Sequence, residues 1–430
     1  MRTGIALVLV LAAAAMALEK PRLGGFVENV TSVQGDDYGT ISDIATLRLE
    51  GSWDYSTRGG VEAHLIVNAA LQPLDIFSAF RDSSVMNRVV LELLEPYQSV
   101  DDSLLSTQSR TLDSASAMAL QMIMQDVDTE NLLRYLPYSS MYPRDKVRLD
   151  RALVKLYFKP FDLFIGRQMV GWGTGYGWNP TDVWNVKNPA DPQAPKLGVN
   201  AIRAEIPFGA VSGLSIVVSP GPDIDHTSGG FRVKGNIGGF DLSLSGSRLM
   251  TADHALLGLP SQIIAGADMA GEVGQVGVWL EGAVINPVHL GGDYTNFDSL
   301  YAQIDAGLNY TFENGLYVMG EYYYNGLGQW QPDDYSAFDL LHLFAGDMAG
   351  FGQHYAMLGV TKDLFDDFML ELFALGNLSD NSYLMLPGLE YTFHDNIALK
   401  AGAQLSIGDR EKSEYGALYH SGYLKVTGWF

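Results

Sequence analysis

The sequence predicts an all-β fold, a transmembrane antiparallel β-barrel of about eighteen strands, with fourteen to eighteen as the range. Three observations predict it. Apolar and polar residues alternate over stretches of about ten, the length a tilted strand needs to cross a bilayer. The chain opens on an export-type segment, and it ends on an alternating run whose last residue is an aromatic, Phe430.

At the start, Arg2 precedes the apolar stretch Gly4 to Ala15, and a small-x-small site follows at Ala15-Met16-Ala17. That order is the layout of a secretory signal peptide, so residues 1–17 are read as signal and 18–430 as the barrel. The alternative, an N-terminal anchor, meets a stretch shorter than the roughly 20 residues of a spanning helix. Past residue 17 no comparably long stretch stays apolar. A membrane-embedded form therefore crosses with strands.

Composition narrows the function classes. With no cysteine, disulfides, thiolate metal sites and cysteine nucleophiles are all excluded. Fifty acidic residues against 27 basic ones give a net charge of -23, and loss of Arg2 with the signal adds one more negative unit. Nucleic acid is not an expected partner of such a surface. The 22 Tyr, 19 Phe, 7 Trp and 47 Gly suit strands that are apolar on one face and polar on the other.

Four strands anchor the register, because successive side chains on a strand face opposite ways. Leu47, Leu49, Gly51, Trp53 and Tyr55 share one face, with Arg48, Glu50, Ser52 and Asp54 on the other. Leu300, Ala302, Ile304, Ala306, Leu308 and Tyr310 oppose Gln303, Asp305, Asn309 and Thr311. Across Glu313-Asn314-Gly315, a turn whose Asn-Gly tolerates positive φ, follow Leu316, Val318, Gly320, Tyr322 and Tyr324. Ile397, Leu399, Ala401, Ala403, Leu405 and Ile407 oppose Lys400, Gln404 and Ser406.

Counting outward from these anchors places strands near 26–33, 44–55, 60–70, 146–158, 161–168, 199–208, 213–219, 230–237 and 240–250, then 263–272, 276–286, 299–312, 316–325, 354–362, 367–377, 382–393, 396–407 and 420–430. Connections alternate short and long, as periplasmic turns and extracellular loops do. The longest, 71–145, breaks the pattern with helical spacing: Met118, Leu120 and Met122 follow Asp113 and Ser114, and Leu132 and Leu133 follow Asn131. It is read as a partly helical insert that caps the barrel, folds into the pore or packs on the rim.

At the other end, Gly422, Leu424, Val426, Gly428 and Phe430 alternate with Tyr423, Lys425, Thr427 and Trp429. A last strand ending on Phe resembles the signal by which bacterial outer-membrane proteins are recognised for barrel insertion.

The same register sorts the inward charges. Arg151, Lys155, Arg167, Arg203, Arg232 and Lys234, with Glu205 and Asp241 among them, line the earlier strands. Asp268, Glu272, Glu281, Asp305, Glu321, Glu371 and Glu390 line the later ones. Closed in sequence order, these sets form a positive wall opposite a negative one across a water-filled lumen, where a transverse field would act as a charge filter. The alternative is that each is a solvated inward charge paired with its neighbours across strands.

Gly166-Arg167-Gln168 ends a strand and is followed by Trp172-Gly173, Gly175, Gly177, Trp178, Asn179-Pro180-Thr181-Asp182 and Asn188-Pro189. Over these residues the chain resembles bacterial outer-membrane porin-like and alginate-export-like proteins, which join a strand-end Gly-Arg-Gln to a Trp-Gly loop and an Asn-Pro-x-Asp. The resemblance implies a segment that enters the channel, with Arg167 facing the lumen. Trp172, Trp178 and Trp184 are then candidates for stacking on solutes such as sugars, or else for girdle and loop packing. A pore of mixed charge argues against a polyanionic cargo.

Other motifs carry less. Gly173, Gly175 and Gly177 lack the Lys-Ser/Thr of a phosphate loop and read as flexible backbone. The acidic pairs near Asp223 and Asp225, Asp333 and Asp334, and Asp293 offer oxygen ligands at no defined cation spacing, so they read as solvated charge. The histidines, among them His64, His226, His254 and His420, form no metal-ligand spacing, and no nucleophile elbow occurs. No metal, cofactor or enzymatic activity is expected.

The expectation is a porin-type channel for passive diffusion of small hydrophilic solutes, saccharides included, in the bacterial outer membrane. Outer-membrane lipid and lipopolysaccharide surround it, and the resemblance admits a homotrimer. A non-conducting adhesive or architectural barrel is the alternative.

Overall fold

A barrel wall forms only if each strand hides its polar row from lipid and finds hydrogen-bond partners on both edges. The computed structural model describes residues 22–34, 41–56, 58–70, 147–185, 198–251, 254, 259–288, 299–336, 339, 342–343, 345–365, 367–394 and 396–430. The expected signal peptide, the 71–145 insert, Asn188-Pro189 and Asp293 lie outside these residues.

Eighteen strands run in chain order. They are β1 (Arg22–Gln34), β2 (Ile41–Ser56), β3 (Gly59–Ala70), β4 (Val147–Tyr157), β5 (Asp162–Gln168), β6 (Val199–Pro207), β7 (Gly213–Ser219), β8 (Ser228–Ile237) and β9 (Phe240–Leu249). There follow β10 (Ser261–Val273), β11 (Val276–Val288), β12 (Tyr301–Thr311), β13 (Leu316–Asn325), β14 (His354–Phe365), β15 (Phe368–Asn377), β16 (Ser382–His394), β17 (Ile397–Ile407) and β18 (Ser421–Trp429).

Each strand pairs with its chain neighbours, and β18 pairs antiparallel with β1 from Phe26 opposite Trp429 to Gln34 opposite Ser421. The sheet is thereby closed. Gly25 and Phe430 exchange two backbone hydrogen bonds of 3.2 Å at the seam. The strand count and the alternation read from the sequence hold, with strand ends moved by a few residues.

The lipid-facing row carries Leu49, Ile304, Leu308, Ile397, Leu405, Leu424 and Val426, all exposed, while Arg48, Gln303, Asp305, Ala398 and Thr427 on the alternate rows are buried. In β4 a bulge interrupts the alternation: His64 pairs with Arg151 and Leu65 with Leu149. The extra residue is Asp150, fully buried and in reach of Arg48 on the inner side. The strands β5 and β7 have only 7 residues each, fewer than the roughly 9 to 11 of a spanning strand. The wall is low where the chain leaves β5.

One end of the barrel carries tight turns, such as Gly238-Gly239, both at positive φ. At the other end the connections after β13 and β17 pack over the lumen. Tyr335, Leu343, Met348, Phe351, Tyr415 and Leu418 from these loops join Met319, Tyr323, Tyr355, Met357, Leu375 and Leu384 from inward rows of β13 to β16 in one apolar cluster. The lumen beside these strands is therefore packed side chain rather than water.

Polar groups inside this lid are satisfied locally. Asp347 accepts from His254 Nε2 at 2.8 Å and His342 Nδ1 at 2.6 Å, tying the connection after β9 to that after β13. Burial opposes its ionisation, but the two imidazole donors outweigh this and hold its carboxyl below the usual range.

Glu414, in the β17–β18 connection, accepts from Tyr355 Oη at 2.6 Å, Asn377 Nδ2 at 2.9 Å and the amide of Phe351 at 3.2 Å. Burial, with Asp380 beside it, pushes its carboxyl up to about 7. A raised carboxyl stabilises the folded loops fully at pH below the unfolded carboxylate range and loses that contribution as pH rises through about 7. Proteolysis of the 408–420 connection in folded protein should therefore speed up between pH 5.5 and 8.5, roughly over the span set by that titration. In Glu414→Gln the rate should become nearly flat over the same window, and an equally steep profile in that variant would refute the assignment.

Candidate functional site

The segment 169–185 leaves the short strand β5 and folds inward. It has no ladder to join, so its amides need other acceptors. Two carboxylates on the inner rows of β11 and β13 supply them. Glu281 accepts from the amides of Thr174 (2.6 Å), Gly175 (3.0 Å) and Thr181 (2.7 Å) and from Thr181 Oγ1 (2.9 Å). Glu321 accepts from the amides of Tyr176 (2.8 Å), Gly177 (2.8 Å) and Trp178 (2.9 Å). Successive amides turned toward one anion form a nest, and hydrogen bonds to a charged acceptor are the stronger kind.

The glycines have a specific reason here. A side chain on Gly175 would stand 1.9 Å from the carbonyl oxygen of Trp178 and 2.6 Å from Asp305 Oδ2. Gly173 sits at φ +79, and its missing Cβ would collide with the Glu281 carboxylate. The row read as flexible loop backbone is instead the close approach that lets these amides reach the wall.

Aromatic packing completes the anchorage. Trp178 stacks on Tyr323 with ring centroids 5.3 Å apart, Tyr176 stacks on Phe373 at 6.0 Å, and Trp172 meets Trp184 edge-on at 5.8 Å. The last pair buries itself with Val170, Ala201 and Val217. Trp172, Trp178 and Trp184, candidates for solute stacking or for loop packing, are all buried against protein.

The predicted charges fall into three groups. Glu281, Asp305 and Glu321 come together behind the loop, where Glu281 pairs with Asp305 across the ladder and Trp279 Nε1 donates to Asp305 Oδ2 at 3.1 Å. Glu281 and Glu321 anchor the loop, and Asp305, buried between them, does not face open water.

A second group is ion-paired. Lys155 meets Glu62 at 2.5 Å, Arg232 meets Asp268 at 2.9 Å, Arg203 meets Glu205 at 3.6 Å while lying 4.5 Å over the Phe164 ring, and Lys400 holds Glu371. Arg151 approaches Glu62 and Asp150, each at 3.7 Å. Lys234 and Glu272 stand exposed, and Glu390 pairs with Lys400 across the ladder. Positive and negative walls are thus interleaved by local partners.

Arg167 differs from its expected placement. It pairs in the ladder with Ala152 and Asn200, on the row of the exposed Ile165 and Ile202, whereas Lys155, Phe164 and Arg203 share the alternate row. Gln168 takes the inward position, donating to the carbonyl of Ala201 at 2.8 Å. Of the acidic loop pairs, Asp223 binds His226 at 2.6 Å and Asp333 faces Lys412 at 3.7 Å.

Sequence reasoning missed a cluster on β2 and β3. Arg48 donates from Nε to Glu50 at 2.6 Å and from Nη2 to His64 Nδ1 at 3.0 Å, and His64 Nε2 lies 3.2 Å from Glu62. A guanidinium has no lone pair, so His64 Nδ1 must accept and Nε2 carries the proton toward Glu62. Arg48 and Glu50 were legible as the polar face of an alternating strand. The count of inward charges simply began at the fourth strand.

No protein-family model matches the sequence, and no curated protein matches it either. Solved structures share the architecture: OccK5 (OpdH) of Pseudomonas aeruginosa at TM-score 0.54 and 9% identity, covering 96% of this chain and 98% of that one, and OccK11 (OpdR) of the same organism at 0.53 and 10%, covering 96% of each. OccAB3 of Acinetobacter baumannii follows at 0.50 and 10%, covering 96% and 99%. At these identities the likeness establishes fold alone. The class is a closed 18-stranded antiparallel barrel of the porin fold.

Glu321→Ala would leave three amides without an acceptor, two of them buried, each of those at a cost of about 1–3 kcal/mol. Hydrogen exchange at the amides of Tyr176, Gly177 and Trp178 should then accelerate, on the order of tenfold or more. Exchange unchanged from wild type would mean that aromatic packing alone holds the loop.

Proposed function

We propose that the protein is a porin-type channel that passes small hydrophilic solutes by passive diffusion across a bacterial outer membrane. The observation that carries this reading is an inward segment bonded to the wall of a closed barrel whose outer face is apolar and whose inner rows are charged. A segment fixed in this way narrows a lumen to a set cross-section, and the inner charges beside it screen solutes by charge and size. No step in such transport needs a cofactor, an energy source or a catalytic group.

The β2–β4 cluster of Arg48, His64, Arg151 and Lys155 with Glu50, Glu62 and Asp150 is the charged surface that would border the path. Its balanced charge favours neutral and zwitterionic solutes over polyanions. Saccharide stacking on the three tryptophans is not part of this reading, because their faces are occupied. Lipid and lipopolysaccharide would surround the apolar belt.

A non-conducting barrel is the second reading, favoured by the apolar cluster that fills the lumen beside β13 to β16. Planar-bilayer recording separates the two. The channel reading expects stable ohmic steps from the purified protein, with ion selectivity that shifts toward cations in Arg151→Glu. Silence that persists after deletion of residues 75–140 would sink it.

A further inference from the structure

A cavity opens on the inner wall at the seam where β16, β17, β18 and β1 meet, at the tight-turn end of the barrel. Phe26, Glu28, Glu390, Lys400, Lys425 and Trp429 line it. The ladder explains why they converge. Phe26 pairs with Trp429, Lys400 pairs with both Glu390 and Lys425, and Thr427 pairs with Glu28, so all share the inward rows.

The charges do not cancel. Lys425 Nζ lies 2.9 Å from Glu28 Oε2, which also accepts from Thr427 Oγ1 at 3.2 Å. Lys400 is held by Glu371, which reaches across from β15. Each ammonium thus has its own carboxylate. Glu390 makes no hydrogen bond or close ion pair among the described residues, and feels only the more distant charge of Lys400, its ladder neighbour, which Glu371 already holds. One carboxylate is left over, half-buried, in a cavity with two aromatic side chains in its lining.

A free carboxylate near aromatic rings is the recognition chemistry of an organic cation, since ring faces attract a cation that a carboxylate neutralises. Anions meet the excess negative charge at Glu390, and neutral solutes leave that charge uncompensated. We propose that this seam cavity is a binding subsite for a small protonated amine bearing an apolar group, with Glu390 as its counter-ion and Phe26 and Trp429 as its walls. The subsite requires the closed barrel but not conduction, so its failure and that of the channel reading are separable.

Calorimetric titration of the detergent-solubilised full chain tests it, with benzylammonium as probe and benzyl alcohol and benzoate as neutral and anionic controls. Benzylammonium should bind in preference to both, and Glu390→Gln should weaken it by about tenfold or more, as expected for loss of a charged partner. Glu390→Asp, which keeps the charge, should bind within a few-fold of wild type. Heat-modifiable gel mobility verifies that each variant is folded. Absence of binding, equal binding of benzyl alcohol, or an E390Q variant that binds as wild type does would each overturn the proposal.

Discussion

Hydrocarbon offers no partner to a peptide N–H, and that constraint runs through every level of this structure. It requires the first and last strands to meet, which they do from Phe26 opposite Trp429 along nine paired positions. It leaves only two faces on each strand, one for lipid and one for the lumen. The same need for acceptors, here set by burial rather than by lipid, applies to the segment that breaks from the wall: Glu281 and Glu321 accept amides of 169–185 that a ladder would otherwise have taken.

That solution changes the role of inner charge. In an open lumen, Glu281, Asp305 and Glu321 on adjacent strands would form a patch of like charge facing water. Here Glu281 and Glu321 meet oriented peptide dipoles, and Asp305 is buried between them under the same loop. The basic residues on the opposite strands are treated differently, since Lys155, Arg203 and Arg232 each have a carboxylate within 4 Å. The molecule has interleaved pairs where a simple count suggests two facing walls.

The barrel was legible because period two is a local property, visible in β2, β12, β13, β17 and β18 without knowledge of any partner. Lys155, Arg203 and Arg232 were grouped on one row by the same rule. What could not be read was whatever depends on distant contacts. Nothing near Glu281 in the sequence announces that amides a hundred positions earlier will bond to it. Trp178 reads the same whether it stacks on a sugar or on Tyr323. Arg167 was misplaced because β5 starts and ends within 7 residues and carries Gly166 at φ +125, so the short strand gave the alternation little to fix its phase. Asp150 and Arg151 lie side by side on the inner wall through a bulge that only pairing reveals.

The anchors of the inward loop recognise the main chain. Glu281 and Glu321 bond to amides that any residue other than proline would supply, apart from the one hydroxyl of Thr181. Where the loop sits and what its side chains present are therefore separable properties. Thr174 can change identity while the loop keeps its path, whereas Gly175 is held by the crowding around it and Tyr176 by its stacking on Phe373. A lineage built this way can change what the loop presents to the barrel interior, one residue at a time, without rebuilding the path of the loop.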